Sequence, residues 1–136
     1  MADTLKLEIV TPETTIYSED VEMVTLPGSE GEAGIYPNHV PLMTRVQAGE
    51  IIVNRGGTEE VVAIGEGFAE ITGDHIAILT DNAANSADID EAAAEEAKAK
   101  AEQRLEEGGD VSEEEAKALT QAILYSQAQI KAKRRK

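Results

Sequence analysis

The chain of 136 residues contains no cysteine and no tryptophan, and aromatic residues make up only 3% of it. The absence of cysteine excludes disulfide bonds, thiolate nucleophiles and cysteine-based zinc sites. Histidine is almost as scarce, with only His39 and His75 available for a hydrolase triad or a histidine-rich metal site. No arrangement of serine, histidine and carboxylate residues stands out around either one. We therefore expect no enzymatic activity, no metal site and no cofactor in the isolated chain.

Long apolar runs and positive charge are scarce as well. Runs such as "VVAI" and "IAIL" span about four residues, whereas a membrane helix requires about 20. The opening segment, MADTLKLEIV, lacks the apolar stretch of a signal peptide. The net charge of −15 opposes binding to a phosphate backbone. We therefore expect no nucleic-acid partner and no direct insertion into a membrane.

The composition changes near residue 87. Residues 1–86 hold 15 acidic and 3 basic side chains, a net charge of −12, and most of the Val, Ile and Leu. Residues 87–136 hold 12 acidic and 9 basic side chains, a net charge of −3, and most of the alanine. We expect a well-packed domain over 1–86 and a thinly packed one over 87–136, because alanine offers little apolar surface to bury.

The first domain reads as short strands separated by turns. The segment "TLKLEIV" alternates apolar and charged residues, as a strand with one buried face does. Gly56-Gly57 and Gly73-Asp74 each separate two β-rich runs and predict two-residue hairpins. Eight to ten such strands are typical of a β-sandwich or a β-barrel. We interpret "PGSEGEAG" as a glycine-rich surface turn, since it lacks the lysine of a phosphate loop and its Glu30 and Glu32 would repel phosphate.

A proline-bounded segment, "GIYPNHVPLMT" over 34–44, interrupts these strands. Pro37 and Pro41 restrict the backbone on either side of His39. The residues alone leave two interpretations open. The segment is either a rigid docking loop that presents His39, since a stiff loop loses little entropy on binding, or a turn in which the histidine only forms local hydrogen bonds. The second histidine, His75, is predicted to face solvent from a strand.

Helical periodicity begins at residue 88. Asp88 and Glu91 resemble a capping box, and Gly108-Gly109 supplies a helix end. Ser112 and Glu115 form a second capping box. We therefore predict an antiparallel helical hairpin. The helices are expected at about 89–107 and 113–132, with apolar positions at Ala93, Ala97, Ala101 and Leu105 in the first and Ala116, Leu119, Ile123 and Ile130 in the second.

The alanine seam between these helices leaves two interpretations open. Alanine has the highest helix propensity but buries little surface, so each helix persists when the pair separates. The hairpin is then either a movable arm or a fixed cover over a sheet. Positive charge gathers at its end, where it either compensates the helix dipole or attracts an acidic partner. The residues of this basic tip are Lys131, Lys133, Arg134, Arg135 and Lys136.

Three segments together resemble the epsilon subunit of bacterial F-type ATP synthase, which is homologous to the chloroplast epsilon and mitochondrial delta subunits. They are "GSEGEAGIYPNHVPLMT" (28–44), "GFAEI" (67–71) and "ADIDEA", which opens the helical part. The resemblance extends from residue 1 to about residue 130. It implies a fold of the mainly β plus α class, an N-terminal ten-stranded β-sandwich followed by a C-terminal antiparallel two-helix hairpin.

The same resemblance implies a function in the central rotor. The subunit is expected to bind gamma, to lie on the c-ring at the cytoplasmic face of the bacterial plasma membrane, and to couple proton flow to ATP synthesis without catalysis of its own. Glu32 and His39 are implied to contact the c-ring, and Thr44 to lie close to gamma. The helices are implied to fold against the sandwich or to extend into the catalytic alpha and beta subunits, where they inhibit ATP hydrolysis. The basic tip would then meet acidic loops of the beta subunits.

One motif departs from the family pattern. Several members bind ATP with the motif Ile/Leu-Asp-x-x-Arg-Ala and arginines of the second helix, whereas this chain has Ile89 and Asp90 followed by Ala93 in the arginine position. Without guanidinium groups to pair with the phosphates, we expect very weak ATP binding or none. The alternatives to a rotor subunit are a free-standing ATP-sensing module and a generic β-sandwich adaptor.

Overall fold

The structure is a computed structural model that describes residues 4–28, 31–37 and 39–135, without the side chains of residues 39 and 40. Within these ranges ten strands form two sheets and two helices follow, which confirms the predicted β-sandwich with a helical hairpin. The strands are β1 (Leu5–Val10), β2 (Thr15–Val21), β3 (Met23–Gly28), β4 (Gly31–Ile35), β5 (His39–Val46), β6 (Gly49–Arg55), β7 (Thr58–Ile64), β8 (Gly67–Gly73), β9 (His75–Thr80) and β10 (Ala83–Asn85).

Each sheet has five strands. Sheet I has the order β2-β1-β9-β8-β5, and sheet II has the order β10-β7-β6-β3-β4. Among the described strand pairs, β1 and β9 are parallel and the others are antiparallel. The alternation predicted for "TLKLEIV" directs Leu5, Leu7 and Ile9 into the core between the sheets. Burial of their apolar surface stabilises the sandwich by about 25 cal/mol per Å².

Both predicted two-residue hairpins are present. Gly56 and Gly57 connect β6 to β7 with φ angles of 57° and 79°, as a type I′ turn requires. Gly73 ends β8 with a φ of 50°, and Thr72 pairs with His75 across that turn. Glycine adopts these left-handed conformations without a side-chain clash. The turn residues therefore determine the register of both strand pairs.

Tyr17 ties the two sheets together at one edge. Its hydroxyl donates a hydrogen bond to Glu60 Oε1 at 2.6 Å, which joins β2 of sheet I to β7 of sheet II. Burial of the ring, followed by this hydrogen bond, raises the pKa of Tyr17. The phenol therefore stays protonated near neutral pH and keeps donating to the carboxylate.

The prediction of a glycine-rich surface turn at "PGSEGEAG" was wrong for most of that segment. Gly28 ends β3, Gly31 begins β4, and the two strands pair antiparallel with Pro27 opposite Glu32. Pairing with a neighbouring strand satisfies the backbone N–H and C=O groups of these residues. A high glycine content therefore marks a hairpin here rather than a long loop.

The proline-bounded segment is also mostly strand rather than loop. Ile35 belongs to β4 and His39 begins β5, so only residues 36–38 link the two strands. This link crosses from sheet II to sheet I. Pro41 lies in the edge strand β5, at a register irregularity between His39 and Leu42, where a missing backbone N–H is tolerated.

The helical hairpin starts slightly later than predicted. Helix α1 spans Glu91–Glu107, and α2 spans Glu113–Arg134. The N-cap of α1 is Asp90, whose carboxylate accepts the N–H of Ala93 at 3.2 Å. The prediction of Asp88 as the cap was wrong, because residues Ser86–Asp88 form a separate 3₁₀ turn.

The end of α1 and the start of α2 follow the prediction, whereas α2 ends at Arg134, two residues later than predicted. Ser112 caps α2 by accepting the N–H of Glu115 at 3.1 Å. Gly108 and Gly109 leave α1 with φ angles of 61° and 60°, a conformation that favours glycine at a helix end. Over the described ranges, neither helix is long and apolar enough to span a membrane.

The hairpin lies against sheet II. Helix α2 packs on β6 and β7, while α1 packs on α2. The contact with the sheet is a small apolar cluster of Val61, Ala63, Ile89, Ala128 and Ala132. This cover explains the near-continuous burial along β6 and β7, since one face of each strand lines the core and the other faces α2.

The predicted seam of α1 was partly wrong. The buried positions of the helix are Ala94 and Ala101, whereas Ala93 and Ala97 are exposed. Alanine occurs on almost every face of α1, so periodicity does not single out the buried stripe. The buried positions of α1 are nevertheless both alanine, as the composition predicts.

Candidate functional site

The outer face of sheet I carries an exposed apolar row. Arg45, Phe68 and Leu79 are direct neighbours across β5, β8 and β9, and Val10 of β1 continues the row beyond Leu79. Phe68 and Leu79 are each 50% exposed, and the row borders a groove of about 410 Å³. The Arg45 guanidinium lies 5.9 Å from the centroid of the Phe68 ring, a cation–π distance. Exposed apolar groups clustered in this way are typical of protein–protein contacts.

Thr44 lies in the strand that carries one end of this row. It is half-buried and pairs with the buried Ala69, so its side chain projects from the face opposite Arg45. Its hydroxyl donates to the carbonyl oxygen of Arg45 at 3.4 Å. Met43, which is 64% exposed, and Arg45 flank it on the outer face. The structure therefore brings Thr44 next to the apolar row without exposing it on the same face.

Glu32 lies near the start of β4, whereas His39 begins the next strand, β5. Glu32 is exposed and shares a groove of about 310 Å³ with Leu124 and Lys131 of α2. His39 follows the other end of β4, and its backbone pairs with Gly73. The side chain of His39 lies outside the described residues. Glu32 is therefore placed beside the folded hairpin.

Each described cation of the basic tip contacts the rest of the chain, while Lys136 lies outside the described residues. The hydrogen bond to Glu91, followed by the charge of that carboxylate, raises the pKa of Arg134. The tip is therefore bound within the molecule in this folded-down arrangement. The contacts are Lys131 to Glu50 (3.7 Å), Lys133 to the carbonyl oxygen of Ser86 (3.3 Å), Arg134 to Glu91 and Glu95 (2.9 Å each), and Arg135 to Glu50 (3.5 Å) and Glu59 (3.4 Å).

Glu50 is a functional candidate that the sequence reasoning missed. Its side chain, in β6, is only 6% exposed and lies next to Ala63 across the β6–β7 pair, on the face that α2 covers. Carboxylates are rarely buried to this degree without a partner. The available signal was the alternation in "GEIIV", which puts Glu50 on the same face as Ile52.

The apolar row was missed in a similar way. In "GFAEI", Ala69 and Ile71 are buried in the core, so alternation places Phe68 on the outer face together with Glu70. An aromatic residue on an otherwise polar face was the available signal. Leu79 shares that face, because it pairs directly with Phe68.

The segment that corresponds to the family ATP motif has structural contacts in this chain. Ile89 is 5% exposed and packs in the cluster beneath α2, Asp90 caps α1, and Ala93 is exposed. A nearby groove of about 460 Å³ is lined by Lys98, Lys131, Arg134 and Arg135 among others. The last three of these cations already contact carboxylates of the same chain.

The sequence is similar to a well-defined group of proteins. A family model described as the β-sandwich domain of the ATP synthase delta/epsilon chain matches residues 4–86. The ATP synthase epsilon chain of Desulforamulus reducens is 43% identical over 109 residues, which cover 80% of this chain and 83% of the relative. That of Laribacter hongkongensis is 40% identical over 131 residues, which cover 95% and 92%.

The fold is similar to chains in two solved assemblies. A chain of the Euglena gracilis mitochondrial ATP synthase, in a structure of OSCP, F1 and the c-ring, matches with a TM-score of 0.74 at 21% identity and covers 94% of this chain and 80% of its own length. A chain of the Tetrahymena thermophila mitochondrial ATP synthase central stalk and c-ring matches with a TM-score of 0.58 at 10% identity, covering 95% and 96%. At these identities the matches support the fold.

Proposed function

The chain belongs to the ATP synthase delta/epsilon family, and we propose that it is a rotor subunit that links gamma to the c-ring and regulates ATP hydrolysis through its helical hairpin. The observation that supports this proposal is that the outer faces of the two sheets differ. One sheet presents an exposed apolar row for a permanent partner, while the other holds an arm through a small interface that is rich in alanine.

Gamma is proposed to dock on the outer face of sheet I. The row of Arg45, Phe68 and Leu79 offers apolar surface and one cation on a domain in which 15 acidic side chains outnumber 3 basic ones. Phenylalanine and arginine are both enriched in protein interfaces relative to the rest of the surface. Thr44, for which the family resemblance implies proximity to gamma, lies in the strand that carries Arg45.

The c-ring is proposed to contact the chain through Glu32 and His39. Glu32 is exposed, so its carboxylate is available to polar loops of the ring. Contact with gamma and the ring would hold the protein at the cytoplasmic face of the plasma membrane as a peripheral component. The chain itself would then transmit torque and perform no bond chemistry.

The hairpin is proposed to be a regulatory arm. When it extends, its two helices would reach roughly 55–60 Å from end to end at 1.5 Å per residue, and the basic tip would meet acidic loops of the catalytic subunits. In the folded-down arrangement the same cations contact carboxylates and carbonyl oxygens of this chain. These two uses of the tip exclude one another.

The docking proposal is tested with the variant Phe68→Glu and a complex of alpha, beta and gamma subunits from the same organism. Because Phe68 is half exposed, the substitution leaves the core intact. It places a charge in the centre of the proposed interface, where loss of a dominant residue lowers affinity by about 30-fold or more. The dissociation constant is measured by surface plasmon resonance on the immobilised complex.

The matched control is Thr72→Glu, which adds the same charge at an exposed position on the same strand face, at its other end. This variant is expected to bind as the parent chain does. Equal affinity of Phe68→Glu and the parent chain would show that gamma binds at another surface. Failure of the parent chain itself to bind the complex would contradict the rotor function and favour a free-standing adaptor.

A further inference from the structure

We propose that Glu50 is the buried acceptor of a charge-dependent latch, which holds the hairpin on the sandwich only while Lys131 and Arg135 compensate its carboxylate. The regulatory meaning of this latch rests on the proposed function, but the latch itself is a property of the isolated chain. It makes the position of the arm depend on what the basic tip contacts.

The two carboxylate oxygens of Glu50 have different surroundings. Oε1 lies 3.7 Å from the Lys131 ammonium and 3.5 Å from a nitrogen of the Arg135 guanidinium. Oε2 is buried and has no hydrogen-bond donor among the described residues. The carboxylate is 6% exposed, whereas Lys131 is 75% exposed and Arg135 is 35% exposed. A covered anion therefore depends on two cations that remain accessible from outside.

The difference in exposure between the carboxylate and its two cations determines which position of the arm is favoured when the cations leave. A carboxylate withdrawn from water is strongly unfavourable unless cations or donors replace its hydration. When Lys131 and Arg135 turn away, the covered carboxylate loses its compensation while α2 still shields it. Lifting α2 returns Glu50 to water, so loss of the two cations favours the lifted arm.

The rest of the interface between α2 and the sheet is rich in alanine. The cluster beneath α2 has alanine at three of its five buried positions, Ala63, Ala128 and Ala132. Each of these side chains contributes a single methyl group, whereas Val61, Ile89 and the partly buried Tyr125 supply the larger apolar contacts. The ion pairs of Glu50 therefore act beside a modest apolar contact. An acidic surface that attracts Lys131 and Arg135 would therefore release the arm as it binds the tip.

The latch is tested by thiol accessibility, because the chain contains no cysteine of its own. Val61→Cys places a thiol on β7 at the face that α2 covers, where it reacts with uncharged iodoacetamide only when the arm lifts. The reaction rate then follows the opening equilibrium. A tip variant combines Lys131→Gln with Arg135→Gln. We expect this variant to raise the rate of thiol modification about tenfold. Such an increase lies between the small effect of losing an exposed ion pair and the large effect of losing a buried one.

The decisive comparison is a double-mutant cycle with Glu50→Gln. In the Glu50→Gln background the tip substitutions are expected to change the rate only about twofold, because only the exposed pair of Arg135 with Glu59 remains to be lost. An equal increase in both backgrounds, or no increase in either, would overturn the latch. The cycle also cancels any direct effect of the carboxylate on the reactivity of the thiol.

Two controls separate arm lifting from other causes. Ala69→Cys lies in the core between the sheets, so its rate reports unfolding of the sandwich and stays unchanged in all backgrounds. Lys100→Gln combined with Lys117→Gln removes two exposed cations elsewhere on the helices and is expected to leave the rate at position 61 unchanged. If Val61→Cys perturbs the sandwich, Ala128→Cys on the covered face of α2 reports the same opening.

Discussion

At the scale of single residues, close backbone approach determines where glycine is required. A Cβ atom added at Gly67 would lie 2.0 Å from the carbonyl oxygen of Leu79. Gly67 begins β8 opposite Thr80, so a side chain there would push β8 and β9 apart. These two strands also carry Phe68 and Leu79. The glycine thus supports the proposed gamma surface as well as the sandwich.

Gly67→Ala is expected to destabilise the sandwich by about 1–3 kcal/mol, the usual cost of overpacking a closely packed site. The measurement is urea unfolding followed by tyrosine fluorescence, with a lower midpoint at an unchanged slope. Gly34→Ala is the control, because its Cβ would only reach ordinary contacts at 3.9 Å. Equal midpoints for both variants would show that β8 and β9 adjust without strain.

At the scale of elements, α2 has two faces with different partners. Ala128 and Ala132, together with Tyr125, pack towards the sandwich. Leu119, Ile123, Ser126 and Ile130 are spaced for the opposite face and are half-buried or buried, as expected for the side that α1 covers. The helix therefore joins α1 to the sheet, and we propose that its basic end determines how firmly it is held.

Deletion of residues 131–136 is expected to raise ATP hydrolysis by the assembled ATP synthase severalfold. The deletion removes the cations proposed to hold the extended arm against acidic loops of the catalytic subunits. Hydrolysis is measured with an ATP-regenerating coupled assay on enzyme reconstituted with the truncated chain. Reconstitution with the chain carrying Lys100→Gln and Lys117→Gln controls for the loss of cations elsewhere on the helices. Unchanged hydrolysis after the deletion would remove the tip from the inhibitory mechanism.

At the scale of the whole molecule, the hairpin packs on sheet II, and the proposed function gives the two sheets separate tasks. Helix α2 packs on β6 and β7 of sheet II, while sheet I exposes Phe68 and Leu79. Exposed apolar groups in one compact area are unfavourable in water and gain from burial against a partner. Gamma binding on sheet I would leave the arm on sheet II free to move.

Isothermal titration is expected to detect no ATP binding, with a dissociation constant weaker than about 1 mM, the range in which binding energy falls to about 4 kcal/mol. Nearby cations are already paired with Glu50, Glu91 and Glu95, and Ala93 offers no guanidinium. Ala93→Arg is the matched variant, since position 93 is exposed, and it is expected to bind more tightly than the parent. Micromolar affinity of the parent chain would contradict the prediction and support an ATP-sensing function.

Local signals in the sequence predicted the fold because they act over a few residues. Gly56-Gly57 determines its hairpin through the positive φ angles that glycine adopts without strain. Ser112 caps the N-terminus of α2, because its hydroxyl accepts the backbone N–H of Glu115. Asp88 was mistaken for a cap because Asp90 has the same chemistry two residues later. Side-chain chemistry predicts a cap nearby, while backbone conformation decides which residue provides it.

The candidate surfaces were less predictable, because their members come from different strands. Arg45, Phe68 and Leu79 are adjacent only after β5, β8 and β9 have paired in their final register. Glu50 and Arg135 are distant in the chain and meet only when α2 lies on β6. Such contacts carry no local signature, since each residue by itself looks like an ordinary strand or helix position.

The sequence by itself determined the two-part organisation, the hairpin turns, the helical arm and the family, since these follow from alternation, turn chemistry, composition and specific segments. Only the tertiary structure decided which sheet the arm covers, which alanines face inward and which cations the buried carboxylate meets. The reason is physical. Local propensity acts through a residue's own backbone, whereas burial and ion pairing depend on what the rest of the chain brings to that side chain.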